Sequence, residues 1–307
     1  MQPLPIHLPS GNLLADRRFE WARDLAAKGD LAGAADLLMQ ALELAPGYAA
    51  AWFALGELRE KLGLRDGAIA AFERARASDP QDCHGAALHL IRLGVQPAAA
   101  MPESYVRTLF DGYAGAFDQA LRQGLGYRAP ELLLRAVEAS GARMKFGSVL
   151  DLGCGTGLAG AAFRPYCDWL VGVDLSSAML AQARAKGLYD RLVEGDVLRV
   201  LTDEAAAQAH YHLILAADVF MYLAELAPVL KAAAAVLAPS ATIAFSVETH
   251  DGVGVILRET LRYAHGAAHA RAALDAAGLK LVSLDGAATR TEKNVPVPGL
   301  IVVANLS

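Results

Sequence analysis

The feature that most constrains this chain is a glycine-rich turn that directly follows a short apolar run. Residues 148–152 (Ser-Val-Leu-Asp-Leu) lead into residues 153–157 (Gly-Cys-Gly-Thr-Gly), and a helical pattern begins at about Leu158. Glycine permits a tight turn and lets backbone N–H groups approach a ligand with no Cβ in the way. The pattern therefore predicts a strand, a ligand-binding turn and a helix, in that order.

Runs typical of strands continue along the rest of the chain, and helical stretches separate most of them. These runs lie at residues 169–174, 191–194, 211–217, 241–247, 279–284 and 300–304. Strands that alternate with helices predict an α/β fold with a doubly wound, mainly parallel sheet. In such sheets the ligand lies beyond the carboxyl ends of the strands. The composition, with 54% hydrophobic and 20% charged residues, suits a protein with a substantial core.

Acidic residues at the ends of the first three predicted strands restrict the ligand further. Asp174 follows Asp151 by 23 residues and ends the second strand, where a carboxylate can accept both ribose hydroxyls. Asp151 would repel a pyrophosphate but suit a cationic amino acid; alternatively, it caps the turn amides. Asp196 can accept a hydrogen bond from an adenine amine. Dinucleotide-binding turns have Gly or Ala at the position where this chain has Leu158, so the turn departs from that pattern. We therefore predict a pocket for a positively charged adenosyl ligand.

The front of the chain contains an internal repeat. Small residues and a proline recur at an offset of 34 residues, because Gly29, Gly33, Ala34, Ala41 and Pro46 reappear as Gly63, Gly67, Ala68, Ala75 and Pro80. Thirty-four residues is the tetratricopeptide period. We predict a flexible leader at 1–17, helical repeats at 18–95 with a further helix at 81–93, and a linker at 96–103. Because so few repeats rarely fold alone, we expect them to pack against the following domain or against a second copy of the repeat array.

Three segments resemble the motifs of the class I S-adenosylmethionine-dependent methyltransferases, namely residues 149–157, 173–176 and 194–197. With the repeats in front, the whole chain is similar to a bacterial family of predicted methyltransferases that contain tetratricopeptide repeats. The resemblance implies a Rossmann-like seven-stranded sheet at 104–307, with strand order 3-2-1-4-5-7-6 and an antiparallel last strand. It implies S-adenosylmethionine as cofactor and S-adenosylhomocysteine as product.

The candidate cofactor-binding residues come from this resemblance and from the positions of the acids. They are Asp151, Gly153, Cys154, Gly155, Gly157, Asp174, Leu175, Met179, Asp196, Val197, Asp218, Tyr113 and Phe117. The resemblance places the glycines at the methionine part of the cofactor and Met179 near its adenine ring. We interpret Cys154 as a small neutral filler and not as a nucleophile, because nothing beside it would lower its pKa.

Residues 104–138 form a candidate lid. Phe110-Asp111 and Phe117-Asp118 lie seven residues apart, which puts both pairs on one face if the segment is a single helix. The segment is similar to the helix that closes over the cofactor in small-molecule methyltransferases. Gly112 and Gly115 weaken a helix, so we expect a mobile or bent lid. A packing helix with aromatic anchors is the alternative.

The acceptor side is expected after the fourth and fifth strands. Methyl transfer from a sulfonium needs a base only if the nucleophile arrives protonated. His265, Tyr222 and Glu248 are the candidate catalytic residues, and we favour His265 over its reading as a capping or surface histidine. The possible anchors for an acidic substrate are Arg107, Arg262 and Arg290. His265 and His269 lie four residues apart without a third ligand, so we predict no metal site.

Charge and composition restrict the partners. The net charge of −5 argues against nucleic acid, and Asp218 is not followed by the Pro-Pro-aromatic turn of nucleobase methyltransferases. No run is long and apolar enough to suggest a membrane partner. The three scattered cysteines suggest a cytoplasmic protein.

The sequence thus favours a methyltransferase acting at O or N of a small-molecule acceptor. Two alternatives stay open: a protein methyltransferase whose repeats recruit a polypeptide, and a non-catalytic cofactor-binding assembly module. The repeats could bind a protein partner or mediate self-association.

Overall fold

The computed structural model describes residues 9–115, 117–119, 121 and 125–306. The chain divides after Thr108 into two compact units, a few residues beyond the linker predicted at 96–103. Of the predicted leader at 1–17, residues 1–8 lie outside the described residues. Its last part is helical, because the first helix already begins at Leu13. The side chain of Asn12 accepts hydrogen bonds from the backbone N–H groups of Leu14 and Ala15 and so starts the helix early.

The first unit consists of paired helices. They are α1 (Leu13–Ala27), α2 (Leu31–Leu44), α3 (Ala49–Lys61), α4 (Arg65–Ser78) and the shorter α5 (Ala86–Arg92). Helices α1 and α2 form one hairpin, and α3 and α4 form the next one 34 residues later. Helix α5 lies inside the range predicted for one further helix. The predicted helical repeat is therefore present in the described part of this unit.

The repeated small residues allow neighbouring helices to approach closely. A Cβ added at Gly56 in α3 would lie 2.6 Å from Cε1 of the Phe72 ring in α4, so the ring occupies the space that the glycine leaves open. Phe72 is completely buried. Trp52 Nε1 donates to the carbonyl of Pro46 at 2.8 Å and ties the second hairpin to the turn before it.

The second unit is built on a mixed sheet. Its strands are β1 (Phe146–Leu152), β2 (Cys167–Asp174), β3 (Arg191–Glu194), β4 (Tyr211–Ala216), β5 (Leu237–Thr249), β6 (Val255–Leu257), β7 (Tyr263–His265), β8 (Leu279–Gly286) and β11 (Gly299–Leu306). The main order is β3-β2-β1-β4-β5-β11-β8, and β11 runs antiparallel to both of its neighbours. The predicted order 3-2-1-4-5-7-6, with an antiparallel last strand, is therefore confirmed.

Two short hairpins were not predicted. Strands β6 and β7 pair with each other and extend the sheet beside the end of β5. Strands β9 (Thr291–Glu292) and β10 (Val295–Pro296) form a separate two-stranded ribbon. Lys293 and Asn294 turn this ribbon with positive φ angles of 50° and 63°.

Helices cover both faces of the sheet. They are α8 (Ala129–Ala139), α9 (Leu158–Phe163), α10 (Ser177–Ala185), α11 (Val197–Ala206), α12 (Ala227–Val236) and α13 (Ala267–Ala276). The candidate lid contains α6 (Glu103–Tyr113) and α7 (Phe117–Gln119). On one face, Leu150 and Leu152 pack in a core with residues of α11, α12 and α13. On the other face, Val149 packs with residues of α8 and α9. Because both faces are buried, the central strands are mostly apolar, and their polar residues lie chiefly toward the strand ends.

The parallel strands bring their carboxyl ends to one edge of the sheet. Asp151 and Asp174 lie at the ends of β1 and β2, and Asp196 and Asp218 lie two residues after β3 and β4. The registers Asp151↔Gly172 and Asp174↔Glu194 align neighbouring strand ends. Within the described residues, no helix combines the length and the apolar character needed to cross a membrane.

We expect Gly56→Ala to destabilise the first unit. The added Cβ would overlap the Phe72 ring, and overpacking of this kind costs typically 1–3 kcal/mol, which opposes the helix-propensity gain of about 1 kcal/mol. Urea unfolding followed by tryptophan fluorescence in a Trp169→Phe background reports on this unit alone, since the other tryptophans are Trp21 and Trp52.

Gly47→Ala is the matched control for this substitution. Its Cβ would have no described atom within 4 Å, so its unfolding midpoint should stay near that of the parent. An equal loss of stability in both variants would contradict the close helix contact.

Candidate functional site

The glycine turn after β1 requires glycine at three positions. Gly153, Gly155 and Gly157 have φ angles of +62°, +54° and +91°, a region that other residues rarely adopt. A Cβ at Gly153 would lie 2.3 Å from Val219 Cγ2, so no side chain fits there. At Gly155 the nearest atom to a Cβ is the Phe117 ring at 3.8 Å. The turn thus exposes backbone directly beneath a lid residue.

Asp174 binds the turn and closes it against β2. The backbone N–H of Gly155 donates to Asp174 Oδ2 at 2.8 Å, and the N–H of Ser176 donates to Oδ1 at 2.8 Å. Burial raises the pKa of this carboxyl to about 6, although both backbone hydrogen bonds favour its charged form. Each oxygen keeps a further lone pair, so the group can still accept hydroxyl donors.

Asp151 lies beneath the turn and is completely buried. Tyr189 Oη donates to Asp151 Oδ2 at 2.7 Å, while Oδ1 has no hydrogen-bond partner among the described residues. Burial raises the pKa of Asp151 to about 7, and the Tyr189 bond partly offsets this rise. Sequence reasoning missed Tyr189, because it belongs to no motif. The glycines against which its ring packs, at 157, 160 and 172, were the available signal.

The predicted adenine-side residues occupy the next strand ends. Asp196 is the N-cap of α11, and its Oδ1 accepts from the N–H groups of Leu198 and Arg199. Within the part of the chain that the structure describes, Asp196 Oδ2 makes no hydrogen bond. Val197 and Met179 are buried, Met179 completely, whereas Leu175 is half-buried. The contact predicted between Met179 and the adenine ring stays a prediction.

Cys154 has the environment of an unreactive thiol. It is 5% exposed, and burial together with the nearby Asp151 and Asp174 carboxyls raises its pKa well above the usual range. A thiol is a nucleophile only as the thiolate. The side chain is therefore neutral at physiological pH.

The candidate lid is not one continuous helix, so its two Phe-Asp pairs do not lie on a single helix face. Helix α6 ends at Tyr113, residues 114 and 115 form a turn, and α7 begins at Phe117. Of the predicted lid at 104–138, residues 116, 120 and 122–124 lie outside the described residues. Gly115 stands at the break, which agrees with the bend expected from its poor helix propensity. The Phe110 and Phe117 rings still meet edge to face, with centroids 6.1 Å apart.

Both lid aspartates bind the elements that carry the turn. Asp111 Oδ1 accepts from Ser176 Oγ at 2.5 Å, and Ser176 is the N-cap of α10. Asp118 accepts from Thr156 Oγ1 in the glycine turn and from Lys186 Nζ at 2.6 Å. These hydrogen bonds hold the lid over the turn.

Asp218 lies two residues after β4 and anchors a buried network. It has a positive φ of 56°, which costs energy for a residue other than glycine. Ser246 Oγ donates to Asp218 Oδ1 at 2.7 Å, and Oδ2 accepts from Thr289 Oγ1 and Arg290 Nη1, each at 3.0 Å. A direct contact of this carboxylate with a cofactor remains a prediction.

Glu248 is held by arginines. It is 3% exposed and accepts from Arg290 Nη2, and Arg258 Nε lies 3.4 Å from its Oε2. Arg262 and Arg290 also both pair with Glu292 in the β9–β10 ribbon. The two arginines proposed as substrate anchors in this unit are therefore already neutralised. Arg107, the third, is an exposed residue of α6.

Tyr222 lies where the lid meets the segment after β4. Its ring is 5.4 Å from the Phe110 ring, edge to face. Burial disfavours the charged guanidinium of Arg262, but the neighbouring Tyr222 and Glu248 outweigh it and raise the pKa of Arg262. Tyr222 thus places a half-buried hydroxyl between an aromatic lid residue and a cation.

His265 lies in β7 and is completely buried. Its Nε2 is 3.0 Å from the carbonyl oxygen of Leu223. Burial and the neighbouring His269 lower the pKa of His265 to about 4, so its imidazole is neutral at pH 7. Because His265 is in a strand and His269 in α13, the two do not share a helix face. In the described ranges, no group of three His, Cys, Asp or Glu side chains could hold a metal ion.

Two family models match this chain. Residues 150–243 match the model described as a methyltransferase domain, and residues 25–89 match the model described as a tetratricopeptide repeat. The chain therefore contains a methyltransferase domain preceded by a tetratricopeptide segment, as the sequence predicted.

Human Methyltransferase-like protein 27 is a curated relative. It is 39% identical over 111 residues, which are 35% of this chain and 45% of that protein. The chain thus spans less than half the length of the curated relative it matches.

Two solved structures share the fold. One is 1,6-didemethyltoxoflavin-N1-methyltransferase from Burkholderia thailandensis with bound 1,6-didemethyltoxoflavin and S-adenosylhomocysteine (TM-score 0.51, 19% identity, 69% of this chain and 93% of that chain). The other is magnesium protoporphyrin IX methyltransferase from Synechocystis with bound S-adenosylmethionine (TM-score 0.50, 18% identity, 69% of this chain and 100% of that chain). The likeness establishes the Rossmann-like methyltransferase sheet.

We expect Arg290→Met to destabilise the methyltransferase domain by about 3–5 kcal/mol. The arginine is 4% exposed and pairs with both Asp218 and Glu248, so its loss leaves two buried carboxylates without their main partner. Thermal and urea unfolding of the full chain measure this.

Arg164→Met provides the comparison with a more exposed ion pair. Arg164 pairs with Asp190, and both side chains are partly exposed, so its loss should cost about 1 kcal/mol or less. If Arg290→Met were equally mild, the buried network would not stabilise this edge of the sheet.

Proposed function

We propose that this chain, which joins a methyltransferase domain to tetratricopeptide repeats, transfers a methyl group from S-adenosylmethionine to O or N of a small-molecule acceptor. The observation that carries the proposal is the turn with three positive-φ glycines, bound to Asp174, above the buried Asp151 and beneath Phe117. S-adenosylmethionine supplies the electrophilic methyl group on a sulfonium.

The residues present fit this cofactor in chemistry and charge. Asp174 has lone pairs left for a ribose diol, and Asp196 Oδ2 is available to an adenine amine. Asp151 Oδ1 is a buried acceptor without a partner in the described part of the chain, which suits an ammonium donor. The glycine backbone leaves space for the amino-acid end. All of the acids are on one sheet edge, which favours a cationic ligand over a pyrophosphate.

The lid contributes by excluding water and by holding the reactants together. Asp111 and Asp118 anchor it to α10 and to the glycine turn, and Phe117 covers Gly155. A closed site keeps an acceptor and a methyl donor in a fixed geometry, which is the main requirement of an in-line displacement.

Of the three candidate catalytic residues, Tyr222 has the environment best suited to contact with a methyl acceptor. Its half-buried hydroxyl lies near Arg262 and its ring contacts Phe110 of the lid, so it is placed to orient an acceptor by hydrogen bonding. Glu248 is occupied by arginines. His265 is neutral and completely buried within its domain, so we assign it a structural role at the end of β7.

The small-molecule class is supported by the aromatic surroundings of Tyr222. The rings of Phe110 and Phe117 approach this region from the lid, and Tyr113 lies near Arg262 and Tyr222. Such rings suit a compact, partly apolar acceptor. The two solved relatives are named for compounds of this kind, 1,6-didemethyltoxoflavin and magnesium protoporphyrin IX.

A polypeptide acceptor is the second candidate, favoured by the tetratricopeptide match at residues 25–89. Incubation of the full chain with methyl-labelled cofactor, a metabolite panel and a protein mixture separates the two. Label in the acid-soluble fraction supports a small-molecule acceptor, and label confined to precipitated protein supports recruitment by the repeats. No label in either fraction, despite tight cofactor binding, supports a non-catalytic assembly module.

We expect Asp174→Ala to weaken binding of S-adenosylhomocysteine at least tenfold, because the ribose would lose a carboxylate partner and the turn would lose its anchor on β2. Isothermal titration measures the dissociation constants. Asp168→Ala alters an exposed carboxylate near the start of the same strand and should leave binding unchanged. Absence of binding by the parent protein would end the proposed function.

We expect Asp118→Ala to accelerate release of S-adenosylhomocysteine several-fold, since the lid would lose its hydrogen bonds to Thr156 and Lys186. Stopped-flow displacement measures the dissociation rate. Lys186→Met should act in the same direction, and combining it with Asp118→Ala should add little. Fully additive effects would contradict a shared lid contact.

A further inference from the structure

Tyr189 fills a slot that three glycines of the cofactor domain leave open. A Cβ added at Gly160 would lie 2.2 Å from its Oη, at Gly172 2.8 Å from its Cδ1, and at Gly157 3.0 Å from its Cε2. These glycines belong to α9, to β2 and to the turn itself. The ring therefore supports the turn from the side of the sheet, and any larger residue at these positions would displace it.

The hydroxyl of Tyr189 fixes one oxygen of Asp151 and leaves the other unpaired. Oη donates to Oδ2 at 2.7 Å, and the nearby backbone N–H of Gly160 also favours the charged carboxylate, while Oδ1 is buried and makes no hydrogen bond among the described residues. An unsatisfied buried acceptor is energetically unfavourable, and more so when it is charged, unless a donor arrives. The arrangement is thus incomplete without a donor at Oδ1.

The surroundings of Asp151 supply no compensating cation. The titratable groups that face it in the described structure are Tyr189, Asp174, Cys154 and Tyr127. All of them are neutral or negative at pH 7. A donor that also carries a positive charge would therefore be favoured over a neutral one.

We propose that Tyr189 is a positioning residue of the cofactor site, which holds Asp151 so that its unpaired oxygen receives the ammonium group of the cofactor's amino-acid end. The inference rests on the proposed function and adds to it a residue outside the glycine turn and the strand-end acids. Binding would ionise Asp151 fully and release to solvent any proton that it carries.

This role makes cofactor affinity depend on pH in a defined direction. Burial raises the pKa of Asp151 to about 7, so the carboxyl of the free protein is partly protonated near neutrality. Affinity for an ammonium ligand should rise as the pH increases through this value. Because the Tyr189 hydrogen bond favours the charged carboxylate, its removal should shift this rise to higher pH.

The test is Tyr189→Phe, which keeps the ring and removes only the hydroxyl. Isothermal titration of the full chain with S-adenosylhomocysteine between pH 6 and 9 should show binding weakened about tenfold at pH 7, the fold-change of a lost hydrogen bond to a charged group. The pH at which affinity rises should increase. 5′-Methylthioadenosine, which lacks the amino-acid end, should bind both proteins equally.

Tyr211→Phe is the matched control. Tyr211 Oη donates to Glu204 Oε2 at 2.6 Å at the amino end of β4, so the substitution removes the same kind of bond at the opposite edge of the sheet. It should leave the affinities for S-adenosylhomocysteine and 5′-methylthioadenosine, and their pH dependence, unchanged. Asp151→Asn is a second variant: it should remove the rise in affinity near pH 7, leaving only the contribution of Asp174 near pH 6, and Tyr189→Phe should then add no further effect.

Two results would overturn the inference while leaving the proposed function intact. One is a Tyr189→Phe protein that binds S-adenosylhomocysteine like the parent, with the same pH profile. The other is an equal loss of affinity for S-adenosylhomocysteine and 5′-methylthioadenosine, which would indicate a purely structural role. Failure of the parent protein to bind S-adenosylhomocysteine would instead refute the proposed function.

Discussion

Two hydrogen bonds from the glycine turn to the second strand organise the candidate site. The N–H of Cys154 donates to the carbonyl of Val173 at 2.8 Å, and the N–H of Gly155 donates to the carboxylate of Asp174 at the same distance. They bind the turn to the neighbouring strand end, where the parallel strands already gather their acids. Without them, the left-handed glycines would have no fixed orientation, and the lid residues would have no surface to cover.

Much of the fold is readable from sequence because it depends on local patterns. Glycine positions in the turn reflect a backbone requirement within a few residues. Acids at strand ends and the 34-residue repeat are regular in their spacing along the chain, so they too are visible in the sequence. The family resemblance supplied the strand order and the antiparallel β11. The short β6–β7 and β9–β10 hairpins escaped prediction, because two- and three-residue strands carry no measurable alternation.

The site was predictable only in part. Asp174 lies at the turn as its position implied, although its two backbone hydrogen bonds could not be foreseen. Tyr189 and the partners of Glu248 depend on contacts between residues far apart in sequence, for which a single sequence gives no signal. Arg290 illustrates the difference: its charge suggested a substrate anchor, but folding places it against Asp218 and Glu248. The break in the lid follows from the local weakness at Gly115, yet its location between Tyr113 and Phe117 depends on what the aspartates bind.

The buried network around Arg290 restricts which substitutions related sequences can tolerate at these positions. One guanidinium pairs with two carboxylates, that of Asp218 two residues after β4 and that of Glu248 in β5, so replacing Arg290 alone removes a partner from both. These three positions therefore change most readily together. In an alignment of related chains, they should vary as a correlated set, exchanging charge for apolar packing at all of them or at none.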